Sequence, residues 1–397
     1  MFKRLKNKFY FNRNVVAMGL VSFFNDVASE MIYPIIPIFL STVLGAPATV
    51  IGLIEGIAES TASLLKTVSG WLSDKFKKRK IFVTFGYSFS AISKIILGVA
   101  TTWPLVLVAR FIDRFGKGTR TSARDALILE SVTPQTRGRA FGFHRALDSL
   151  GAVIGPLLAL AMIYFFKYNF RLIFLLAFIP AFIGVILLLL FVKEIQKKNN
   201  PISQEQKEKA KFQFKWSDLN FDFKFFIAIS IIFSIGNSSD AFLILRSQNL
   251  GLTATATVTA YVLYNLAYSL FSYPAGAIAD KIGTKKVLIA GFFLFALVYL
   301  FFGLIKNPFY IWLLFPLYGV YIALTDGISR AYISDTVPVE KSGTAFGIYQ
   351  TAVGICVFFS SLLAGVLWNF FSPAAPFLFG ALTSFIAVLL FLTYNRN

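Results

Sequence analysis

Cysteine and histidine are almost missing from this chain: one of each, Cys356 and His144, in 397 residues. That excludes a disulfide framework and any Cys/His-rich metal centre. Charge is scarce too. Asp, Glu, Lys and Arg make up 14% of the chain, against about 25% in a soluble domain. Acidic residues are the scarcer sign, 19 against 38 basic, for a net charge of +19. Such a balance can mark a nucleic-acid binder, but here the basic residues are scattered among short loops between apolar runs, which suits a membrane protein better. Catalytic signatures are missing as well. There is no G-x-S-x-G, no H-E-x-x-H and no Walker loop, and the lone His has no ligand partners. The expectation is no enzyme, no cofactor, no metal and no nucleic-acid partner. A removable signal peptide is not expected, because the apolar stretch after Asn14 lacks a small-residue cleavage site and contains Asn25, Asp26 and Glu30.

What the chain does have is apolar length. Hydrophobic residues are 57% and the mean hydropathy is +0.70. A spanning helix needs about 20 apolar residues. On that measure the first half gives segments near 15–43, 50–73, 81–100, 103–122, 141–166 and 170–192. The second half gives 224–246, 255–279, 287–305, 309–333, 345–370 and 374–393. The expected fold is an all-α polytopic membrane protein with about twelve transmembrane helices in two six-helix bundles. The expected domains are 1–192, a polar linker 193–222 that carries an amphipathic stretch around Phe212, Phe214 and Trp216, and 223–397.

The halves repeat one another at an offset of about 206 residues. Gly70-Trp71-Leu72-Ser73-Asp74-Lys75 returns as Gly276-Ala277-Ile278-Ala279-Asp280-Lys281, and Gly138-Arg139-Ala140-Phe141-Gly142 as Gly343-Thr344-Ala345-Phe346-Gly347. Repeated halves in a membrane chain suggest two bundles rocking about a site between them. Basic residues mark one side: Lys3 to Arg13, Lys75 to Lys80, the linker, and Lys281, Lys285 and Lys286, with Lys167 and Arg171 as exceptions. By the positive-inside rule both termini face the cytoplasm of a bacterial or archaeal cell membrane.

The repeated Gly-x-x-x-Asp-Lys loop in six plus six segments resembles the major facilitator superfamily, whose loop between helices 2 and 3 reads G-x-L-A-D-R-x-G-R-K. Gly70, Leu72, Asp74, Lys75, Arg79 and Lys80 match it, with Lys77 in place of the second Gly, while the second copy keeps both as Gly276 and Gly283. The resemblance covers essentially the whole chain and implies a transporter that works by alternating access. In such a loop glycine permits close helix approach and the Asp can bond a neighbouring helix end or Arg, so Gly70, Asp74, Arg79, Gly276, Asp280 and Gly283 read as gate residues. The alternative is a Lys/Arg run that only fixes topology.

Gly151-x-x-x-Gly155-Pro156 in segment 5 resembles the G-x-x-x-G-P motif of the superfamily's proton-driven exporters; ordinary small-residue packing is the plainer reading. In helix 4 the family has an Arg followed four residues later by Gly, linked to proton transfer. Arg114 and Gly118 match that spacing and Arg110 does not. Charges near mid-bilayer are costly unless paired or hydrated. Asp26 and Glu30 lie one turn apart, as do Glu55 and Glu59, and Asp113 neighbours Arg114. A carboxylate in a low-dielectric cavity can load and release a proton, and an Arg that competes for it supplies a switch. Asp26, Glu30, Glu55, Glu59, Asp113 and Arg114 are therefore the proton-coupling candidates, against a static ion-pair network such as Glu59 with Lys66 or Lys94. His144 reads as a solvated interfacial side chain. Asn25, Arg110, Arg145, Asp148, Asn237, Asp240, Tyr264, Asn265 and Asp326 are substrate-cavity candidates, and most other tyrosines read as packing or belt residues.

The function expected is secondary transport by a monomer, with lipid, a small molecule and protons as partners. Proton-driven antiport exporting a small organic molecule comes first and symport of a possibly anionic solute second. A non-transporting receptor or partner-binding protein on the same fold is the rival from another class.

Overall fold

The computed structural model describes residues 12–76, 78–133, 136–194 and 220–394, with the side chains of 67, 71, 74 and 339–343 outside the described set. All regular structure in them is helical. Helix α1 runs from Arg13–Ile32 through a short piece, Ile35–Ile38, into a wide π turn at Phe39–Val43. It is followed by α2 (Ala48–Phe76), α3 (Arg79–Gly98), α4 (Trp103–Glu130), α5 (Arg137–Phe165) and α6 (Phe170–Phe191). The second half repeats the order. Its α7 is likewise in two pieces, Phe221–Gly236 and Ala241–Asn249. Then come α8 (Ala254–Ile282), α9 (Thr284–Leu304), α10 (Ile311–Thr336), α11 (Val339–Phe370) and α12 (Ala375–Thr393).

Ten of the twelve are long and apolar enough to cross a membrane, α4 and α8 being long enough but more polar. In α4 the cause is the series Arg110, Asp113, Arg114, Lys117, Arg120, Arg124 and Asp125. Helix starts are chemically marked: Asn12, Asn169, Asn220 and Thr253 each accept a backbone N–H of the first turn through their side chains. Large apolar side chains such as Ile179, Leu189, Phe271 and Leu389 are exposed on the outside, where a bilayer solvates them. Linker residues 195–219, including Phe212, Phe214 and Trp216, lie outside the described set, and Asp222 already belongs to α7.

An even number of crossings puts both ends of the chain on one face, the terminal face. Toward the opposite face the halves meet tightly. A Cβ at Gly52 of α2 would lie 2.2 Å from the Ser361 carbonyl oxygen of α11, and one at Gly365 would lie 2.5 Å from that of Ala48. Cross-half hydrogen bonds tie the same region: Asn369 Nδ2 donates to Thr49 Oγ1 (3.1 Å) and Ser41 Oγ to Gln248 Oε1 (3.4 Å). Nearer the terminal face the helices stand apart, and a Cβ at Gly142, Gly276 or Gly327 would meet nothing within 4 Å.

That spacing corrects one expectation about the repeated loops. In this conformation Gly276 is not a site of close helix approach, and Gly70 faces Ser122 of its own half at 3.2 Å. Gly283 has a different purpose. Its φ of +96° ends α8 and begins α9, a conformation that strongly favours glycine. Arg79 is held within the first half, its Nε donating to Glu130 Oε2 at 3.0 Å and its backbone N–H to Glu194. At the repeat-related place in the second half, Thr284 donates to Asp335 at 2.9 Å. Asp280 is exposed, and the side chain of Asp74 lies outside the described set.

Candidate functional site

Both interrupted helices break at one place in the repeat. Tyr33-Pro34 parts α1, Asn237 to Asp240 parts α7, and the Tyr33 hydroxyl lies 3.5 Å from Ser239 Oγ, a separation of 206 residues. Proline cannot carry the helical hydrogen bond, and the Asn-Ser-Ser-Asp run offers side-chain partners that compete with it. Paired interruptions in corresponding segments of two halves are where transporters build their sites.

A cavity of about 420 Å³ opens beside these breaks. The first half lines it with Asp26, Glu30 and Tyr33 from α1, Glu59 from α2, Arg114 and Lys117 from α4, and Arg145 and Asp148 from α5. From the second half come Asn237, Ser238, Ser239 and Asp240, Tyr261, Tyr264 and Asn265 of α8, and Tyr318 of α10. A second cavity, about 390 Å³ and lined by Arg145, Asp280 and Asp326, adjoins it and shares Arg145, Ser149, Tyr268 and Ser269. The space is therefore roofed where α2 meets α11 and continues toward the terminal face.

Two ion pairs link α2 to α4 one helical turn apart. Arg110 grips Glu55 bidentately, Nε to Oε1 at 3.0 Å and Nη2 to Oε2 at 2.7 Å, with side chains 3% and 1% exposed. Arg114 meets Glu59 at 2.7 Å with side chains 8% and 33% exposed, because Glu59 faces the cavity. Gly118 permits this approach, since a Cβ there would lie 2.6 Å from Leu65 of α2. Both guanidinium groups lie over the Tyr33 ring, at 5.5 and 5.9 Å. Ser239 Oγ reaches across the halves to Glu55 at 3.3 Å.

The other candidates divide by depth. Asp113 is outside the cavity in a knot with Lys94 (2.6 Å), Ser90 (2.5 Å) and Ser93 (3.4 Å). Asn25 is buried behind Asp26 and donates to it at 3.5 Å. Glu55 and Arg110 likewise do not line the cavity. Asp26 and Glu30 do, and Gly151 and Gly155 position them. A Cβ at Gly155 would lie 2.8 Å from the Val27 carbonyl oxygen and 2.9 Å from Glu30 Cβ, so the small residues press α5 onto the carboxylate-bearing turn of α1. Pro156 follows inside α5. Tyr261 donates to Glu30 across the halves at 3.0 Å.

His144 is buried, not solvated as its place near a helix end suggested. Its Nδ1 is 3.5 Å from Asp148 Oδ2. Arg145 donates to the Tyr268 hydroxyl (2.8 Å), which donates to Asp326 (3.2 Å); Asp326 also pairs with Arg330 at 3.4 Å. Lys117, Tyr33 and the Ser238-Ser239 pair are cavity residues that composition did not single out. The Tyr-Pro step and the polar run inside apolar segments were their signal.

A family model described as Major Facilitator Superfamily matches residues 18–261 and 225–397. An uncharacterised MFS-type transporter of Methanocaldococcus jannaschii is 38% identical over 98% of this chain and 97% of its own length. The multidrug resistance protein MdtH of Salmonella newport is 29% identical over 36% of this chain and 34% of its own length. Among solved structures, a POT family transporter in complex with 5-aminolevulinic acid superposes with a TM-score of 0.79 at 14% identity, covering 97% of this chain and 96% of that one. The nucleoside transporter NupG (D323A mutant) gives 0.77 at 14% identity, covering 95% and 98%. At such identities the likeness is one of fold.

Proposed function

Because the chain belongs to the Major Facilitator Superfamily, and is thus a multi-pass membrane transporter of that type, we propose that it couples proton movement to export of a small organic molecule by antiport. The observation that carries this reading is the unequal treatment of the cavity acids. Glu59 holds Arg114 at 2.7 Å, while Asp26 and Glu30 face the same space with no cation paired to them among the described residues. A proton that neutralises Glu59 frees Arg114 to act on the neighbouring carboxylates, which is the exchange a coupled carrier requires. Glu30 also accepts from Tyr261 of the other half, so its protonation bears on how the halves meet.

The halves 1–192 and 223–397 would rock as units about the cavity, closing near Arg145, Tyr268 and Asp326 as they open near Thr49 and Asn369. The basic terminal face would be cytoplasmic, so the cavity described here would load from inside the cell, and the protein would act as a monomer in the cytoplasmic membrane. The segmental similarity to a multidrug resistance protein and the Gly151-x-x-x-Gly155-Pro156 motif favour export. Import by symport is the rival.

The test is flux in proteoliposomes under an imposed proton gradient, with internal pH recorded. Acid outside should drive extrusion with proton entry in an antiporter, and solute and protons should enter together in a symporter. Loss of gradient dependence in Glu59→Gln, Asp26→Asn or Glu30→Gln supports proton coupling. Flux that ignores the gradient in the unaltered protein removes it.

A further inference from the structure

The second half contributes one carboxylate to the central cavity, Asp240, at the start of the second piece of α7. Its Oδ1 accepts the Tyr318 hydroxyl at 2.7 Å and its Oδ2 the Tyr264 hydroxyl at 3.2 Å. Two buried phenols thus fix the orientation of the carboxylate and leave a lone pair on each oxygen. Among the described residues no ion pair is formed with it, and foremost among the charges acting on it are further carboxylates, Glu59 and Glu30. Two of the cavity cations are engaged elsewhere, Arg114 with Glu59 and Arg145 with Tyr268, while Lys117 lines the space and forms no ion pair among the described residues. In all, five carboxylates and three cationic side chains line the space.

Two further features point to a ligand. Tyr33, Tyr261, Tyr264 and Tyr318 form a continuous row of rings with successive centroids 5.7, 5.3 and 5.4 Å apart, all on the cavity wall. Aromatic faces attract a cation within about 6 Å and accept an apolar body alongside it. Ser238 lines the same cavity, is 5% exposed, and its hydroxyl neighbours that of Tyr299. A buried hydroxyl beside an oriented carboxylate that forms no ion pair among the described residues is a polar site with acceptor capacity to spare.

We propose that Asp240, on the α7 break between Tyr264 and Tyr318, is the seat of a positively charged nitrogen, and that the cargo is an organic ammonium with an aromatic or apolar body. Asp240 takes the charge, the tyrosine row takes the body, and Ser238 supplies a further acceptor. An inorganic cation would be satisfied by the oxygens and would leave the ring faces unused. This deepens the transport reading and rests on it, yet binding can be measured without flux.

The test uses the purified full chain in detergent, titrated calorimetrically with phenethylammonium, with 3-phenylpropionate of the same ring, and with sodium ion. Phenethylammonium should bind and 3-phenylpropionate should not. Asp240→Asn should weaken the ammonium at least tenfold, while Asp240→Glu retains part of the affinity. Failure of the ammonium to bind, equal binding of the carboxylate, or saturation of the site by sodium that phenethylammonium cannot displace overturns the assignment. If Asp240→Asn does not fold, the matched ammonium and carboxylate on the unaltered protein decide alone. Asp240-dependent binding without gradient-driven flux would leave this site standing and remove proton coupling; coupled flux of an anion with no ammonium binding would do the reverse.

Discussion

The two ion pairs between α2 and α4 have the same chemistry and spacing but different exposure, so removing a charge from each should have opposite consequences. Arg110→Met leaves Glu55 as a carboxylate 1% exposed, with the Ser239 hydroxyl as its one remaining hydrogen-bond partner among the described residues. Stripping one partner from a buried pair destabilises by about 3–5 kcal/mol, whereas replacing both with apolar side chains is often close to neutral. Glu59 is 33% exposed toward the cavity. Arg114 left behind is only 8% exposed, but it lines the cavity and the Gln amide oxygen can still accept from it, so Glu59→Gln should destabilise far less than Arg110→Met. The expected pattern is a large fall in apparent unfolding midpoint for Arg110→Met, recovery of most of it in Glu55→Leu/Arg110→Met, and a far smaller fall for Glu59→Gln.

Flux should rank the variants in the other order. Per folded molecule, the double variant at the buried pair should keep its dependence on the proton gradient, and Glu59→Gln should lose it. Unfolding followed by tryptophan fluorescence in detergent, together with proteoliposome flux normalised to folded protein, supplies both axes. If Glu59→Gln unfolds as readily as Arg110→Met and the surviving fraction still follows the gradient, exposure is not what separates the pairs and the reasoning fails.

Asp113→Asn should lower the unfolding midpoint, since it leaves Lys94 buried and unpaired, while the folded fraction keeps its gradient dependence; the same two assays check it. Gly155→Ala puts a Cβ 2.8 Å from the α1 backbone and should destabilise by about 1–3 kcal/mol and reduce coupled flux as Glu30 shifts from Tyr261, whereas Gly142→Ala should leave the midpoint unchanged. With Cys356 replaced, paired cysteines at 49 and 369, whose native side chains meet at 3.1 Å, should cross-link on oxidation and stop flux, and reductant should restore it. A Cβ at Gly276 meets nothing within 4 Å in this conformation, so Gly276→Leu should leave the midpoint alone, but it should slow flux if the terminal face closes there, as flux and thiol labelling of engineered cysteines near Asp280 would show.

Much of this architecture was legible because it rests on local rules. Apolar length marks spans, and the 206-residue repeat of Gly70 to Lys75 as Gly276 to Lys281 marks halves. The Arg114–Gly118 spacing brought a charge and a small residue to one face of α4, where Gly118 does allow α2 close. The division between Glu55 and Glu59 was not legible. Helical periodicity puts both on one face of α2, yet one is bonded by Ser239 while the other looks into the cavity, and Ser239 belongs to the other half of the chain. His144 was misjudged for a related reason: nearness to a helix end implies water only on a face that nothing covers, and His144 lies on the buried face of α5 while Gly142 and Arg145 lie on the exposed one.

The same dependence on the other half explains why the site is asymmetric although the chain is a repeat. Glu30 in α1 falls at the position of Gly236 in α7, and Pro34 at that of Asp240, by the 206-residue offset that relates Gly70 to Gly276 and Asp74 to Asp280. Each half therefore breaks its first helix at one depth, but the first half surrounds its break with titratable groups and paired cations, and the second with tyrosines and one carboxylate. In the proposed coupled carrier, two like scaffolds with unlike linings would separate the work to be done. Groups that exchange protons need competing charges close by, and a pocket that recognises cargo needs fixed, apolar-walled polarity that does not alter with each proton. Tyr261 to Glu30 and Ser239 to Glu55 are hydrogen bonds by which either lining can register the state of the other. Motion that separates the halves at these depths would break both bonds together, so under the proposed coupling the movement of the helices would depend on the protonation of Glu30 without any longer chain of contacts.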